Sequence, residues 1–361
     1  MRTMGKLARY SLRLTLTGFV ICLAGCRGLS PEMERPQRFE FQQPHMGTLF
    51  TITLYATDET LARQAANAAF AKVAELNQVM TDYDPESELM RLSRSPVGVP
   101  VRVSEALFEI LAESQRLAQL SDGAFDVTIG PVIRLWRRAR RAETLPTPEQ
   151  IAHARASVGW QKLQLDSKNK TITLLAANMQ LDLGGIAKGY AADQALAVLR
   201  KQGIPRALVA ASGDIAVGAA PPGQRGWRVT IGSPTDAGAS TNSLLLANAA
   251  VSTSGDSEQF VIINGQRYSH IVDPRTGLGL TTHCQVSIIA PRATQTDAFA
   301  TTVSVLGGPR GIRLIESQPG LAALIYQEQD GKSEMFVSRR VSKFLETPVQ
   351  PGFQVAPMPP Q

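Results

Sequence analysis

Ala207-Leu208-Val209-Ala210-Ala211, Trp227-Arg228-Val229-Thr230-Ile231, Phe260-Val261-Ile262-Ile263, Gln285-Val286-Ser287-Ile288-Ile289 and Leu321-Ala322-Ala323-Leu324-Ile325-Tyr326 follow one another along residues 207–326, punctuated by Gly, Pro and Asn. Short apolar runs bounded in this way read as strands. Ahead of them Leu49–Tyr55 alternates in strand fashion. Glu59–Met80 places Leu61, Ala65, Ala69, Val73 and Leu76 at helical spacing, Ser104–Leu120 repeats that pattern with Ser104 as a plausible N-cap, and another helix is expected over Ala191–Gln202. The strands outnumber the helices and do not alternate with them regularly, which favours an α+β fold over a doubly wound Rossmann sheet.

The 361 residues, 43% apolar and 19% charged, are enough for one large domain or two closely joined subdomains. The net charge of +6 would suggest an anionic partner, but Arg2, Lys6, Arg9 and Arg13 supply four of those charges. They precede the apolar stretch Leu14–Leu23, too short to span a bilayer comfortably and shaped like a secretory signal. Leu23-Ala24-Gly25-Cys26 then resembles a bacterial lipobox. The expectation is a signal peptide over 1–25, removed before an acylated Cys26, and a tether over 26–44 that is polar and carries Pro31, Pro36 and Pro44. A cytosolic core helix with an incidental Cys is the competing reading. The main domain is expected over 45–347 and a Pro-rich tail over 348–361. Without the leader the net charge falls near +2, which argues against nucleic-acid binding. Cys284 would be the remaining thiol, leaving no intrachain disulfide and no Cys-based metal site.

Four segments rich in Gly, Asp and Thr lie where apolar runs end, the usual place of binding loops. Met80-Thr81-Asp82-Tyr83-Asp84-Pro85-Glu86-Ser87-Glu88-Leu89 reads as an Asp-Pro turn before a capped helix, or as a loop offering Tyr83 for stacking on a planar ring. In Ser121-Asp122-Gly123-Ala124-Phe125-Asp126-Val127-Thr128-Ile129-Gly130-Pro131 the glycines permit close backbone approach to a ligand and Phe125 adds a flat apolar face; a helix C-cap accounts for Gly123 equally well. Leu181-Asp182-Leu183-Gly184-Gly185-Ile186-Ala187-Lys188-Gly189-Tyr190 leads into a helix, so backbone N–H groups and Lys188 can hold a phosphate; a simple strand-to-helix turn is the alternative. The fourth runs from Ser252-Thr253-Ser254-Gly255-Asp256 through Tyr268-Ser269-His270-Ile271-Val272-Asp273-Pro274-Arg275-Thr276-Gly277 to Thr296-Asp297-Ala298-Phe299-Ala300-Thr301-Thr302. Asp297 and Thr301 share a helix face and offer two hard oxygens, which suits Mg2+; an N-cap Asp with an interior Thr is the plain alternative. His270, in a polar loop beside Asp273, is either structural or a general base.

Taken in order from about Met46 to Thr302, these segments resemble the FAD:protein FMN transferase family (ApbE). The resemblance implies mixed, T-fold-like sheets with packed helices in a single large domain of two intimately joined subdomains. It implies transfer of FMN from FAD to a threonine or serine hydroxyl of a target protein through a phosphoester bond, with release of AMP. Met46, Tyr83, Ala124, Phe125, Asp126, Asp182, Lys188 and Ile271 fall at positions that contact FAD in the family, and Gly185, Asp297 and Thr301 at the Mg2+ ligands. His270 or Asp273 would deprotonate the acceptor. The implied acceptor belongs to a membrane redox complex, a sodium-pumping quinone reductase or an Rnf-type subunit. The implied location is the periplasmic side of the cell envelope, on the inner membrane by resemblance, although Arg27 after Cys26 lacks the aspartate associated with retention there. Departures are Ser212 in Ser212-Gly213-Asp214, Leu278-Gly279-Leu280 after the Arg-Thr-Gly turn, and Ser257. An FAD pyrophosphatase and a non-catalytic flavin-binding lipoprotein are the rival readings.

Overall fold

Leu49–Tyr55 lies inside one strand of an eight-stranded sheet whose neighbours are antiparallel throughout and follow chain order. In the computed structural model, which describes residues 35–231, 242–255, 259–329 and 332–346, these strands are β1 (Gln37–His45), β2 (Thr48–Ala56), β3 (Ala207–Ala211), β4 (Asp214–Val217), β5 (Ala249–Gly255), β6 (His283–Ala290), β7 (Ala322–Gln329) and β8 (Lys332–Val337). The expected signal peptide, Cys26, Ser257 and the tail from 348 lie outside the described residues.

The tether ends sooner than expected. Gln37–Pro44 is not a linker but most of β1, the edge strand paired with β2. Phe39 and Phe41 alternate with exposed residues and pack on the main core. Pro44 is tolerated because an edge strand has ladder positions that need no donor. Met46 (φ +49) and Gly47 (φ +72) close the hairpin in the left-handed conformation that two-residue turns require.

Residues 57–206 are inserted between β2 and β3 and bring six helices: α1 (Glu59–Met80), α2 (Glu88–Ser93), α3 (Glu105–Leu120), α4 (Gly130–Ala142), α5 (Pro148–Arg155) and α6 (Ala187–Lys201). α7 (Ala293–Leu306) and α8 (Gly308–Ser317) fill the connection from β6 to β7. Asp58 caps α1 by accepting the Leu61 N–H at 2.8 Å, and Ser104 caps α3 through the Leu107 N–H at 3.3 Å. α6 begins at Ala187 rather than Ala191, so Lys188 and Gly189 lie in its first turn.

Alternation within each strand divides the core. Phe50, Ile52, Leu54, Ala207, Val209 and Ala211 face α1, α6 and α7. Full burial of each large side chain stabilises the fold by roughly 1.5–3 kcal/mol. Tyr55, Leu208 and Ile215 face the other way, onto the hairpin Trp227–Ile231/Asn242–Leu246. The expected strand Trp227–Ile231 therefore exists but belongs to this covering layer. Among the described residues Phe260–Ile263 likewise pairs only with Gln266–Ser269, around an Asn264-Gly265 turn. Among the described residues no helix is long and apolar enough to cross a membrane.

Candidate active site

The site is built where α6 crosses α7. Gly189 allows the crossing, since a Cβ there would lie 2.1 Å from the Ala293 carbonyl oxygen. At that closeness the Gly189 N–H donates to Asp297 Oδ2 at 3.0 Å. Lys188, one residue earlier, places Nζ 2.7 Å from Asp214 Oδ2 and 3.6 Å from Asp297 Oδ2. Burial, and after it the Asp214 carboxylate, push Asp297 up to about 7 against the pull of Lys188. Burial opposes the charge on Lys188 too, but the two carboxylates outweigh it and hold the amine above its ordinary value. Lys188 is thus engaged in ion pairs, and the Gly184 and Gly189 amides are bonded to Asp182 and Asp297. The helix start does not form the open phosphate cradle expected from the glycine pair.

Asp214 opens β4 directly after Ser212-Gly213. Ser212 adopts φ +56 itself, and Gly213 is needed because a Cβ would meet the Thr253 carbonyl at 2.7 Å. The serine departure therefore leaves this turn intact.

One helical turn beyond Asp297, Thr301 abuts Gly185: a Cβ on Gly185 would stand 3.0 Å from Thr301 Oγ1. Thr302 and Ser304 donate back to carbonyls four residues earlier, whereas Thr301 has no hydrogen bond among the described residues. Gly185, Asp297 and Thr301 bring a carboxylate, a hydroxyl and a main-chain carbonyl into one neighbourhood. This hard-oxygen set is the donor chemistry that Mg2+ prefers. Among the described residues no group of three or more His, Cys, Asp or Glu side chains is placed to hold a metal ion.

Asp182 connects this neighbourhood to the first segment. Its Oδ1 accepts the Gly184 N–H at 2.8 Å and its Oδ2 lies 3.1 Å from Arg137 Nη2. Arg137, on α4, also pairs with Asp82 and lays its guanidinium 4.6 Å from the centre of the Tyr83 ring. Burial and the neighbouring Asp82 raise the Asp182 carboxyl above its ordinary range. Tyr83 is 79% exposed, so its other ring face remains open to solvent. The rest of its segment follows the plain reading, with Asp84 Oδ1 accepting the Glu86 N–H and Ser87 capping α2.

Ala124, Phe125 and Asp126 are buried. Phe125 lies under Gly185, with Cε2 3.4 Å from where a Cβ would sit. Ala124 packs with Ile271 and Val305 in a small apolar cluster. Asp126 accepts the Thr128 N–H and hydroxyl at 2.8 and 2.7 Å, while burial lifts its carboxyl above the usual range. Gly123, at φ +73, donates back to Ala118 O as a helix C-cap, and Gly130 admits the Gln180 backbone. Backbone packing accounts for both glycines.

The loop carrying His270 and Asp273 is fastened to α4 by Trp136, whose Nε1 donates to Gly277 O at 2.8 Å and whose ring centre lies 5.3 Å from that of Tyr268, tilted by 42°. Asp273 is bound by Arg275 through two guanidinium contacts of 2.9 and 2.8 Å. His270 Nδ1 lies 3.1 Å from Gln259 O, and a carbonyl only accepts, so Nδ1 carries a proton. Met46 stands in the β1–β2 turn, packed on the main core, and no hydrogen bond among the described residues joins it to this cluster. Arg137, Asp82 and Asp214 escaped the sequence reading as functional residues. Asp214 was visible in its turn, whereas Arg137 was one arginine of a run.

The ApbE family model matches residues 46–325. The FAD:protein FMN transferase of Haemophilus influenzae is 32% identical over 76% of this chain and 80% of its own. That of Salmonella typhimurium is 29% identical over 83% and 87%. Among solved structures, the Pseudomonas stutzeri flavinyl transferase ApbE, in its apo form, superposes with a TM-score of 0.78 at 27% identity, covering 87% of this chain and 99% of that one. The Vibrio cholerae flavin transferase ApbE gives 0.77 at 28%, covering 86% and 100%.

Proposed function

The chain belongs to the ApbE family, and from that membership we propose how its own residues move FMN from FAD to a protein. It is an FAD:protein FMN transferase. The observation that carries the mechanism is the convergence of Asp297, Thr301, Gly185 and Lys188 at the α6–α7 crossing, linked through Asp182 and Arg137 to the exposed Tyr83.

Asp297 and Thr301, with the Gly185 carbonyl, would hold Mg2+, which when bound neutralises charge on the pyrophosphate. Lys188 keeps Asp297 and Asp214 paired and the site electrostatically balanced. Tyr83 offers its open face to a planar ring of FAD, with Arg137 fixing the other face. Phe125, Ala124 and Ile271 provide apolar walls, and Met46 a further contact. Asp126 and Asp182 fix the loops that bear them.

An acceptor threonine hydroxyl attacks the FMN phosphorus; the phosphorus–bridging-oxygen bond breaks and AMP leaves with that oxygen. In such a transfer, positioning and electrostatics dominate. His270 would take the hydroxyl proton. Asp273 is held by Arg275 and serves to shape the turn. The test is AMP release at saturating FAD and acceptor. His270→Asn is expected to lose it by on the order of 10²–10⁴-fold while still binding FAD. Retained release there, with loss in Asp273→Asn, would transfer the role of base to Asp273.

We also propose that Cys26 carries the lipid anchor and that the acceptor is a subunit of an envelope redox complex. Supporting this are the four leader cations, the short apolar run and the lipobox-like Leu23–Cys26. Labelled fatty acid should enter the wild type and not Cys26→Ser; equal labelling of both would overturn the anchor.

A further inference from the structure

α4 carries Arg134, Arg137, Arg138, Arg140 and Arg141 and no acidic residue within Gly130–Ala142. Arg137 is neutralised by Asp82 and Asp182. For the other four, no carboxylate among the described residues comes within ion-pair distance, and Arg138 and Arg141 are exposed. Arg134, Arg137, Arg138 and Arg141 follow the i, i+3, i+4, i+7 spacing, so they run along one face of the helix. Three of these four, Arg134, Arg138 and Arg141, have no carboxylate partner among the described residues; like charges so placed repel one another, and guanidinium suits bidentate pairing with carboxylates.

The stripe is fixed to the active site. Arg137 touches Tyr83, and Trp136 grips Gly277 in the loop of His270. A macromolecular acceptor must bring a hydroxyl to this place, and the outer face of α4 adjoins it through these two contacts. Resting on the transferase reading, we propose that the arginine face of α4 is the docking surface for an acidic segment of the acceptor protein flanking the modified residue. The contact selects acceptors by charge and takes no part in the chemistry. Such rim charges act on association and its salt dependence more than on the chemical step.

The experiment uses the full chain and two acceptor fragments sharing one threonine motif, one flanked by Asp and Glu, the other by Ser and Gln. In R138E/R141E the KM for the acidic acceptor should rise by on the order of tenfold and its salt dependence should vanish. Transfer at saturating acceptor and FAD affinity should be unchanged, as should the KM for the neutral acceptor. R310E/R313E, the same charge change on α8, should leave all of these at wild-type values. Equal use of both acceptors by the wild type, or an unaltered acidic KM in R138E/R141E, overturns the proposal while leaving the transferase reading standing. Binding of wild type but not R138E/R141E to phosphatidylcholine–phosphatidylglycerol vesicles, without acceptor preference, would overturn it in favour of a membrane surface. Transfer by the wild type to neither fragment would overturn both readings together.

Discussion

Asp297 is the residue on which the proposed metal site and the charge balance around it both depend. Its carboxyl, pushed to about 7 by burial and by Asp214, is protonated below that pH in the metal-free protein. A metal ion must displace that proton. The sign follows: apparent Mg2+ affinity is expected to fall by about tenfold per pH unit below pH 7 and to level off above it. Asp297→Asn should bind weakly with no such slope and keep a wild-type circular-dichroism spectrum. Titration calorimetry between pH 5.5 and 8.5 checks this, and a flat wild-type profile would remove Asp297 from the ligand set. Asp297 and Thr301 were legible as a pair because helical spacing alone puts them on one face. The contact between Lys188 and Asp214 was not, since β4 reaches α6 only through the tertiary fold. An aspartate beside a glycine turn looks the same in sequence whether or not a lysine waits opposite.

At the level of elements, the proposed metal ligands depend on how α7 starts. Its own N-cap, Arg292, provides no side-chain bond. Asp193 of α6 supplies the cap from a neighbouring helix, accepting the Ala293 and Thr294 N–H groups at 2.8 and 2.9 Å and the Thr294 hydroxyl at 2.6 Å. Asp193→Ala is expected to cost about 1–2 kcal/mol in urea unfolding and to weaken Mg2+ binding, because α7 carries Asp297 and Thr301. Lost stability with unchanged Mg2+ affinity would show that the cap does not aim the ligands. Local signals made α1 and α3 readable: a 3.6-residue apolar period and an oxygen-bearing cap. Sequence alone starts α6 at Ala191 because Gly189 is a poor helix former in isolation; its close contact with Ala293 outweighs that propensity.

For the whole molecule, the sheet fixes where the folded chain begins. β1 was mistaken for a tether because only Phe39 and Phe41 mark its buried face, between Pro36 and Pro44. Its partner β2 has Phe50, Ile52 and Leu54 and was plain. A chain starting at Arg35 should fold as the full chain does, whereas one starting at Met46 should lose roughly 1.5–3 kcal/mol from the two phenylalanines, each half-buried and so contributing about half of the full-burial value. Equal urea midpoints for the two would mean that β1 is dispensable. The α+β class was readable from strand number; the chain-order arrangement of the sheet was not, because the inserted residues 57–206 separate β2 from β3.

The central claim is that this fold carries FMN from FAD to a protein hydroxyl, and intact mass spectrometry of an acceptor tests it most directly. The full chain is incubated with FAD, Mg2+ and a threonine-bearing acceptor fragment. A gain equal to one FMN phosphoester, absent without Mg2+ and absent with Asp297→Asn, is the expected result; free FMN and AMP beside an unmodified acceptor would contradict it.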